Sequence, residues 1–270
     1  MRQYRLLADF PMIGQRNMAV DEAILNAVAA GDSPPTLRFY AWEPACLSLG
    51  YGQTVKDADE TRLKALGWGL VRRATGGKAI LHTDELTYSL ALPEGHPLTK
   101  VGIVESYRHI SQALLHGLNL LGLHSQADKK ADDVKQTGPV CFETPSHYEI
   151  TTQDGRKLIG SAQLRRRGAL LQHGSLPLNG DITRICDVLM YADDAARTAA
   201  KSAVRARAAT LEDALGQAIA WETVMDAFVQ GFQHILDADF IPDDLTQHEW
   251  LEANRLERDV YGNDAHIDKM

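Results

Sequence analysis

Two tight-turn signals near the middle of the chain constrain its fold more than any other feature. Asp154-Gly155 and Arg165-Arg166-Arg167-Gly168 both contain residues that tolerate the positive φ of a tight turn. The segments around them, 147–152, 157–163 and 169–174, have the composition of strands. The pattern therefore predicts two β-hairpins in series.

A cysteine precedes the first hairpin, and a lysine lies on its returning strand. Lys157 comes shortly before small residues that let a ligand approach the backbone, Gly160, Ser161 and Ala162. If the thiol of Cys141 met the ammonium of Lys157 across the hairpin, the cation would favour the thiolate and make it a nucleophile. A buried structural cysteine and a solvated turn lysine are the alternative. Cys46 and Cys186 lie in apolar segments and are interpreted as core residues.

A second glycine-containing loop follows a predicted strand over 68–73. Its sequence, Arg72-Arg73-Ala74-Thr75-Gly76-Gly77-Lys78, can place guanidinium groups and bare backbone N–H groups around a phosphate or carboxylate. It matches neither the P-loop nor the dinucleotide-binding fingerprint, and a β-turn with solvated charges is the alternative. His82, in the next predicted strand, is a candidate substrate contact or general base, although for a histidine taken alone a structural role is the commoner case.

Apolar periodicity predicts helices before and after these strands. Helices are expected over 17–30, 57–66, 103–121, 181–190 and 221–236. Strands are expected over 36–42, 45–49, 79–82 and 86–92, the last two paired with each other. The apolar stripe over 221–236 indicates core packing rather than a cofactor surface.

The composition excludes several classes of protein. The chain has 270 residues, 44% of them hydrophobic, and a net charge of −8, which argues against broad nucleic-acid binding. Its three cysteines lack the spacing of a disulfide framework or a zinc site. No apolar stretch is long enough for a membrane helix, and the first residues lack the apolar run of a signal peptide. We expect a cytoplasmic protein with reduced thiols and no partner membrane.

The two motifs together resemble the biotin/lipoate–protein ligase superfamily. Residues 72–82 look like its glycine-rich acyl-binding loop, and residues 157–163 with His173-Gly174-Ser175 resemble its lysine loop and the following strand. The likeness covers about residues 15–240. It implies a mixed α/β fold with a largely antiparallel sheet and packed helices. We expect a single catalytic domain over 1–270, with a ligase-like core over about 30–240 and a mostly helical part over 195–270.

Within this superfamily, Cys141 resembles the cysteine of the octanoyltransferases of Gram-positive type. That resemblance implies transfer of octanoyl from octanoyl-acyl carrier protein to a lysine of the glycine cleavage H protein or another lipoyl domain. Cys141 would carry the acyl group as a thioester, and Lys157 would hold the thiolate ionised and relay a proton. The implied substrate-binding residues are Arg73, Gly76, Gly77, His82, Gly160, Ser161, Ala162 and His173.

The same resemblance implies an enzyme without a metal, and we expect no cofactor. A thioester donor already carries the driving force for amide formation, so ATP is not required. We expect a monomer. Backbone N–H groups near Gly160, Ser161 and Ala162 would hold the oxyanion. Three alternatives remain open: an amidotransferase that moves octanoyl from H protein to E2 subunits, an ATP-dependent lipoate ligase in which Cys141 is incidental, and a non-catalytic acyl- or carrier-protein-binding module. Arg165-Arg166-Arg167 would be a candidate basic patch for an acidic carrier, with a solvated turn as the alternative.

Overall fold

The computed structural model describes residues 2–128 and 149–268. Its strands are β1 (Arg2–Ala8), β2 (Thr36–Tyr40), β3 (Cys46–Leu49), β4 (Gly69–Arg72), β5 (Ile80–His82), β6 (Glu85–Leu92), β7 (Gln126–Asp128), β8 (Glu149–Thr151), β9 (Lys157–Arg166), β10 (Ala169–Pro177) and β11 (Ala238–Pro242). Its α-helices are α1 (Gly14–Ala30), α2 (Glu60–Leu66), α3 (Pro97–Lys100), α4 (Ile103–Leu120), α5 (Asp194–Arg207), α6 (Leu211–Leu215), α7 (Trp221–Leu236), α8 (Gln247–Leu256) and α9 (Asp264–Ile267).

Eight of these strands form one sheet, in the order β11-β1-β2-β6-β10-β9-β8-β7. β1 runs parallel to its neighbours β11 and β2, and the other pairs are antiparallel. A second sheet has the order β4-β3-β5. The predicted mixed α/β fold with a largely antiparallel sheet is confirmed.

Two hairpins in series join β8, β9 and β10 in the main sheet, as the turn signals predict. Gly155 takes a φ of 84° in the turn between β8 and β9, while Arg167 and Gly168, at 51° and 78°, form the turn between β9 and β10. These positive φ values favour glycine, and the short turns set the antiparallel register. The predicted strand at 147–152 is described from Glu149 onward.

The expected pairing of 79–82 with 86–92 is wrong. β5 pairs with β3 in the small sheet, whereas β6 pairs with β2 and β10 in the large one. The two strands pair differently because their apolar side chains are buried in different hydrophobic clusters. Ile80 packs in the cluster that includes Leu63 and Val204, whereas β6 packs in the cluster that includes residues of α4 and α7. Only Thr83 and Asp84 connect the two strands, and the chain changes sheet there.

The helices cover the sheets along their apolar faces. α4 packs against α7 through residues such as Leu114, Leu118 and Phe228, which are completely buried. α1 ends at Gly31, whose φ of 81° suits a helix C-cap, and it packs against α8. Cys46 and Cys186 are buried free thiols, in agreement with their interpretation as core residues. Across the described residues, no helix combines the length and apolarity needed to cross a membrane.

Candidate active site

A cavity lies between the small sheet and the β9–β10 hairpin. β9 and β10 provide one wall, and β3, β5 and the loop after β4 provide the other. Tyr40, Trp42 and Thr87 line the cavity and are all at most 4% exposed, whereas Gly77, on the same cavity, is exposed. From this difference in exposure we infer a solvent-facing mouth at Gly77 and a closed inner end at Trp42.

The structure brings most of the predicted substrate-binding residues to this cavity, which is lined by Arg73, Gly77, His82, Gly160, Ser161, Ala162 and His173. Gly76 belongs to the same loop, and its carbonyl accepts a hydrogen bond from Arg73 at 2.9 Å. Lys157 begins β9 three residues before Gly160 and is only 3% exposed. Cys141 lies outside the described residues.

A ring of polar contacts holds the inner end of the cavity in place. The ring of His82 stacks on Trp42 with 3.8 Å between centroids, and its Nδ1 is 2.7 Å from Glu85 Oε1. Thr87 donates to the same Glu85 oxygen at 2.5 Å and accepts a bond from Trp42 Nε1 at 2.9 Å. His82 Nε2 lies 2.8 Å from Ser48 Oγ, so both imidazole nitrogens have partners. This network makes the Trp42 indole a rigid end wall.

The glycine loop is organised by Arg73, which lies inside it. Its Nη1 donates to the carbonyl and hydroxyl oxygens of Ser48, both at 3.1 Å, and its Nη2 donates to the carbonyls of Gly76 and Lys78 at 2.9 and 2.8 Å. These bonds clamp the loop against β3. The predicted anion cradle is thus occupied in part by the protein's own carbonyl oxygens.

His173 connects the glycine loop to the buried carboxylate of Asp21, which the predicted site residues do not include. Its Nε2 is 2.7 Å from Thr75 Oγ1, and its Nδ1 is 3.3 Å from Asp21 Oδ2. Asp21 also accepts from Arg38 at 2.7 Å and from Tyr40 at 2.8 Å. Burial alone would raise the pKa of Asp21, but the charge of Arg38 and the bond from His173 outweigh it and hold the pKa below its usual value.

A signal for this network is present in the sequence. Met18, Asp21 and Leu25 follow one another at spacings of three and four, so the carboxylate lies on the apolar face of α1. A charged residue on an apolar helix face predicts a buried partner of opposite charge.

In the Arg165-Arg166-Arg167 run, the first two arginines have partners elsewhere in the fold and the third is exposed. Arg165 donates to the carbonyls of Leu98, Thr99 and Val101 at 2.7 to 3.3 Å. Arg166 forms an ion pair with Glu22 at 2.5 Å. Arg167 is exposed at the turn itself. Two of the three guanidinium groups therefore stabilise the β9–β10 hairpin, which removes the basis for a three-arginine docking patch.

Comparison with known proteins agrees with this architecture. The octanoyltransferase LipM of Exiguobacterium sibiricum is 39% identical over 263 residues, which cover 95% of each chain. A bipartite lipoate protein ligase of Thermoplasma acidophilum, solved as part of an archaeal lipoylation system with its E2 lipoyl domain, superposes with a TM-score of 0.84 at 26% identity and covers 98% of this chain and 96% of its own. Protein Ta0514 of the same organism, solved with bound lipoic acid, superposes with a TM-score of 0.82 at 26% identity over the full length of both chains.

The model of the lipoyl protein ligase A/B catalytic domain matches residues 14–233, a span that includes the glycine loop, the lysine strand and the whole cavity. The name of the curated relative agrees with the acyltransferase class predicted from the sequence. Fold, cavity and comparisons lead to one conclusion: the chain belongs to the lipoyl protein ligase A/B catalytic domain family.

Proposed function

We propose that this protein transfers an octanoyl group from octanoyl-acyl carrier protein to the acceptor lysine of a lipoyl carrier, the glycine cleavage H protein or an E2 lipoyl domain. The observation that carries the proposal is the cavity, whose mouth lies at Gly77 and whose inner end is closed by Trp42. Apolar side chains and glycines along its walls suit a short acyl chain. The octanoyltransferase name of the relative from Exiguobacterium supports the same substrate. We place this reaction in the cytoplasm, with a monomeric enzyme.

In the proposed reaction, the Cys141 thiolate attacks the carbonyl carbon of the octanoyl thioester. The C–S bond to the carrier breaks, and the carrier sulfur leaves as a thiol after taking a proton from the Lys157 ammonium. The acceptor amine then attacks the octanoyl-Cys141 thioester, the C–N bond forms, and the sulfur of Cys141 departs as a thiolate. The neutral Lys157 amine takes the proton that the acceptor nitrogen releases, which restores the thiolate and the ammonium for the next cycle. A thioester donor already supplies the driving force for amide formation.

The strand that carries Lys157 also offers backbone groups for the oxyanion. The described part of β8 pairs with β9 at Lys157 and Ile159, so from Gly160 onward that edge of β9 has no strand partner among the described residues. N–H groups on such an edge can bind the negative oxygen of a tetrahedral intermediate, each contributing about 3 kcal/mol.

Intact-mass spectrometry tests the proposal directly. Wild-type protein mixed with octanoyl-acyl carrier protein without ATP is expected to gain one octanoyl group that hydroxylamine removes, and Cys141→Ala is expected to gain none. Cys46→Ala, at a completely buried thiol, is the matched control and should label as wild type does. Adding apo H protein or apo E2 domain to the isolated adduct then identifies the acceptor. Absence of the wild-type adduct would overturn the proposal.

An ATP-dependent lipoate ligase is the second candidate, because the neighbour with a TM-score of 0.84 is a lipoate protein ligase. A nucleotide needs cations or N–H groups for its phosphates, and the Arg73 guanidinium already binds Ser48 and two loop carbonyls. That arrangement favours the transferase. Lipoate attachment that requires ATP and survives Cys141→Ala would establish the ligase instead.

Trp42 is expected to limit acyl-chain length. Trp42→Leu places a smaller side chain at the closed end of the cavity. Decanoyl is two methylenes longer than octanoyl, and each buried methylene contributes roughly 0.8 kcal/mol, so transfer of decanoyl relative to octanoyl should rise about 10-fold. Rates with donors of six to twelve carbons measure this preference. Trp250→Leu, which removes an indole that is 43% exposed on α8, is the control and should keep the wild-type profile. An unchanged profile in Trp42→Leu would show that the chain does not reach this wall.

A further inference from the structure

The last described residues of the chain are joined to the glycine loop through Arg72. Arg72 ends β4, is completely buried, and immediately precedes Arg73. Its Nε and Nη2 donate to the carbonyl of Ile267 at 3.0 and 2.5 Å, and Nε also reaches the carbonyl of His266 at 3.2 Å. The contact is reciprocal, because His266 Nε2 lies 3.2 Å from the carbonyl oxygen of Arg72.

The other side of the same guanidinium holds the loop after β3. Nη1 donates to the carbonyls of Gly50, Tyr51 and Gln53 at 2.9, 3.2 and 2.5 Å. One buried side chain therefore cross-links residues 50–53 to residues 266–267. Charged donors form the stronger class of hydrogen bond, and a planar guanidinium fixes their directions.

The loop over 50–53 in turn supports the glycine loop at the mouth of the cavity. Tyr51 N donates to the carbonyl of Thr75 at 2.9 Å. Gly50 and Gly77 lie so close that a Cβ on Gly50 would overlap the carbonyl oxygen of Gly77. A displacement of residues 50–53 must therefore be transmitted to Gly77, which lines the cavity.

The C-terminal segment is itself anchored to α1, which gives Arg72 a firm partner. Tyr261 donates to Glu22 Oε2 at 2.5 Å and packs edge-on against His266 with 5.3 Å between centroids. Arg16 donates to Glu257 at 3.0 Å. The segment over 257–268 is called the C-terminal latch below.

We propose that the C-terminal latch, acting through Arg72 as a positioning residue, holds the glycine loop in the shape that binds the acyl chain. The family model matches residues 14–233, and the latch lies outside that span. The latch itself does not line the cavity. The inference deepens the proposed function, because it takes the acyl donor as the ligand of the glycine loop.

A chain that ends at Asn263 tests this role, because it lacks α9 and the two C-terminal carbonyl acceptors of Arg72, those of His266 and Ile267. Its KM for octanoyl-acyl carrier protein is expected to rise about 10-fold with kcat nearly unchanged, since the loop binds the chain equally in ground and transition states. Amide hydrogen exchange should become faster at residues 50–53 and 75–78 and remain unchanged in β9 and β10.

A double-mutant cycle distinguishes coupling from general destabilisation. Arg72→Lys keeps the charge, but an ammonium cannot bind the carbonyls of residues 50–53 and those of 266–267 at the same time. It should therefore raise KM in the full chain and raise it little further in the truncated chain. Glu249→Gln is the matched control, because it weakens the buried 2.5 Å ion pair between Glu249 on α8 and Arg5 on β1. It should lower the melting temperature without changing KM or loop exchange.

The hydrogen-exchange measurement needs no substrate, so it tests the latch even if octanoyl transfer is not the activity. Faster exchange confined to 50–53 and 75–78 supports the latch. Three results would each overturn it: exchange at these residues in the folded truncated chain as slow as in wild type, equal acceleration throughout the sheet, or the same acceleration of loop exchange in Glu249→Gln.

Discussion

Replacing Lys157 with methionine is expected to slow formation of the octanoyl-enzyme by about 10²- to 10⁴-fold, the range of positioned acid–base groups. Lysine side chains are mostly exposed, whereas Lys157 is 3% exposed at the start of the strand that reaches the cavity. In the proposed mechanism its ammonium favours the Cys141 thiolate, and the substitution removes that cation. The pH at which the acylation rate is half-maximal should therefore move upward. Mass spectrometry of samples quenched at set times between pH 6 and 9 measures this rate.

Lys157→Arg separates the two roles assigned to this side chain. Arginine keeps the positive charge but does not release a proton in this pH range. It should retain much of the acylation rate and lose transfer to the acceptor amine. Lys64→Met, at a side chain that is 81% exposed on α2, is the matched control and should behave as wild type. Wild-type rates in Lys157→Met would eliminate this lysine from the mechanism.

Asp21→Asn is expected to lower the free energy of unfolding by about 3 kcal/mol, because the substitution leaves buried Arg38 without its nearest buried carboxylate. It also leaves one acceptor oxygen where Arg38, Tyr40 and His173 share two, so octanoyl transfer should fall as the glycine loop loosens. Urea unfolding at pH 7 measures the first effect. Asp9→Asn contacts the same guanidinium from a side chain that is 21% exposed, and it should cost less.

The same carboxylate gives the stability a defined dependence on pH. Arg38 and His173 hold the folded-state pKa of Asp21 below its usual value despite burial, so the unfolded chain binds this proton more tightly. The stability that Asp21 contributes is therefore complete above its unfolded pKa, about 3.9, and is lost as the pH falls through the lower folded value. Wild type should lose stability more steeply in acid than Asp21→Asn does. Parallel acid profiles would contradict this assignment.

Local sequence patterns were sufficient for the elements that carry the site. Gly155 and Gly168 mark turns because few other residues adopt their positive φ, and the strands between them follow from composition. The register of β9 on β10 then places Ala162 opposite His173, both at the cavity. Each of these features depends on residues close together along the chain, which is why periodicity and turn chemistry could predict them.

Other features required contacts between distant parts of the chain. The partners of β5 and β6 depended on which apolar cluster received each strand, and no local pattern states that choice. Arg72 and Arg73 look equivalent in sequence, but one binds carbonyls 194 residues away and the other clamps its own loop.

The sequence by itself determined the family and the types of the strands and helices around the site, and it predicted Cys141 and Lys157 as the residues that act on a thioester. The tertiary structure alone decided which of the predicted substrate-binding residues share a cavity, that Asp21 anchors His173, and that the C-terminal latch supports the glycine loop. The physical reason is range: backbone preference and amphipathic period act over a few residues, whereas buried hydrogen bonds and ion pairs join groups that only the completed fold brings together.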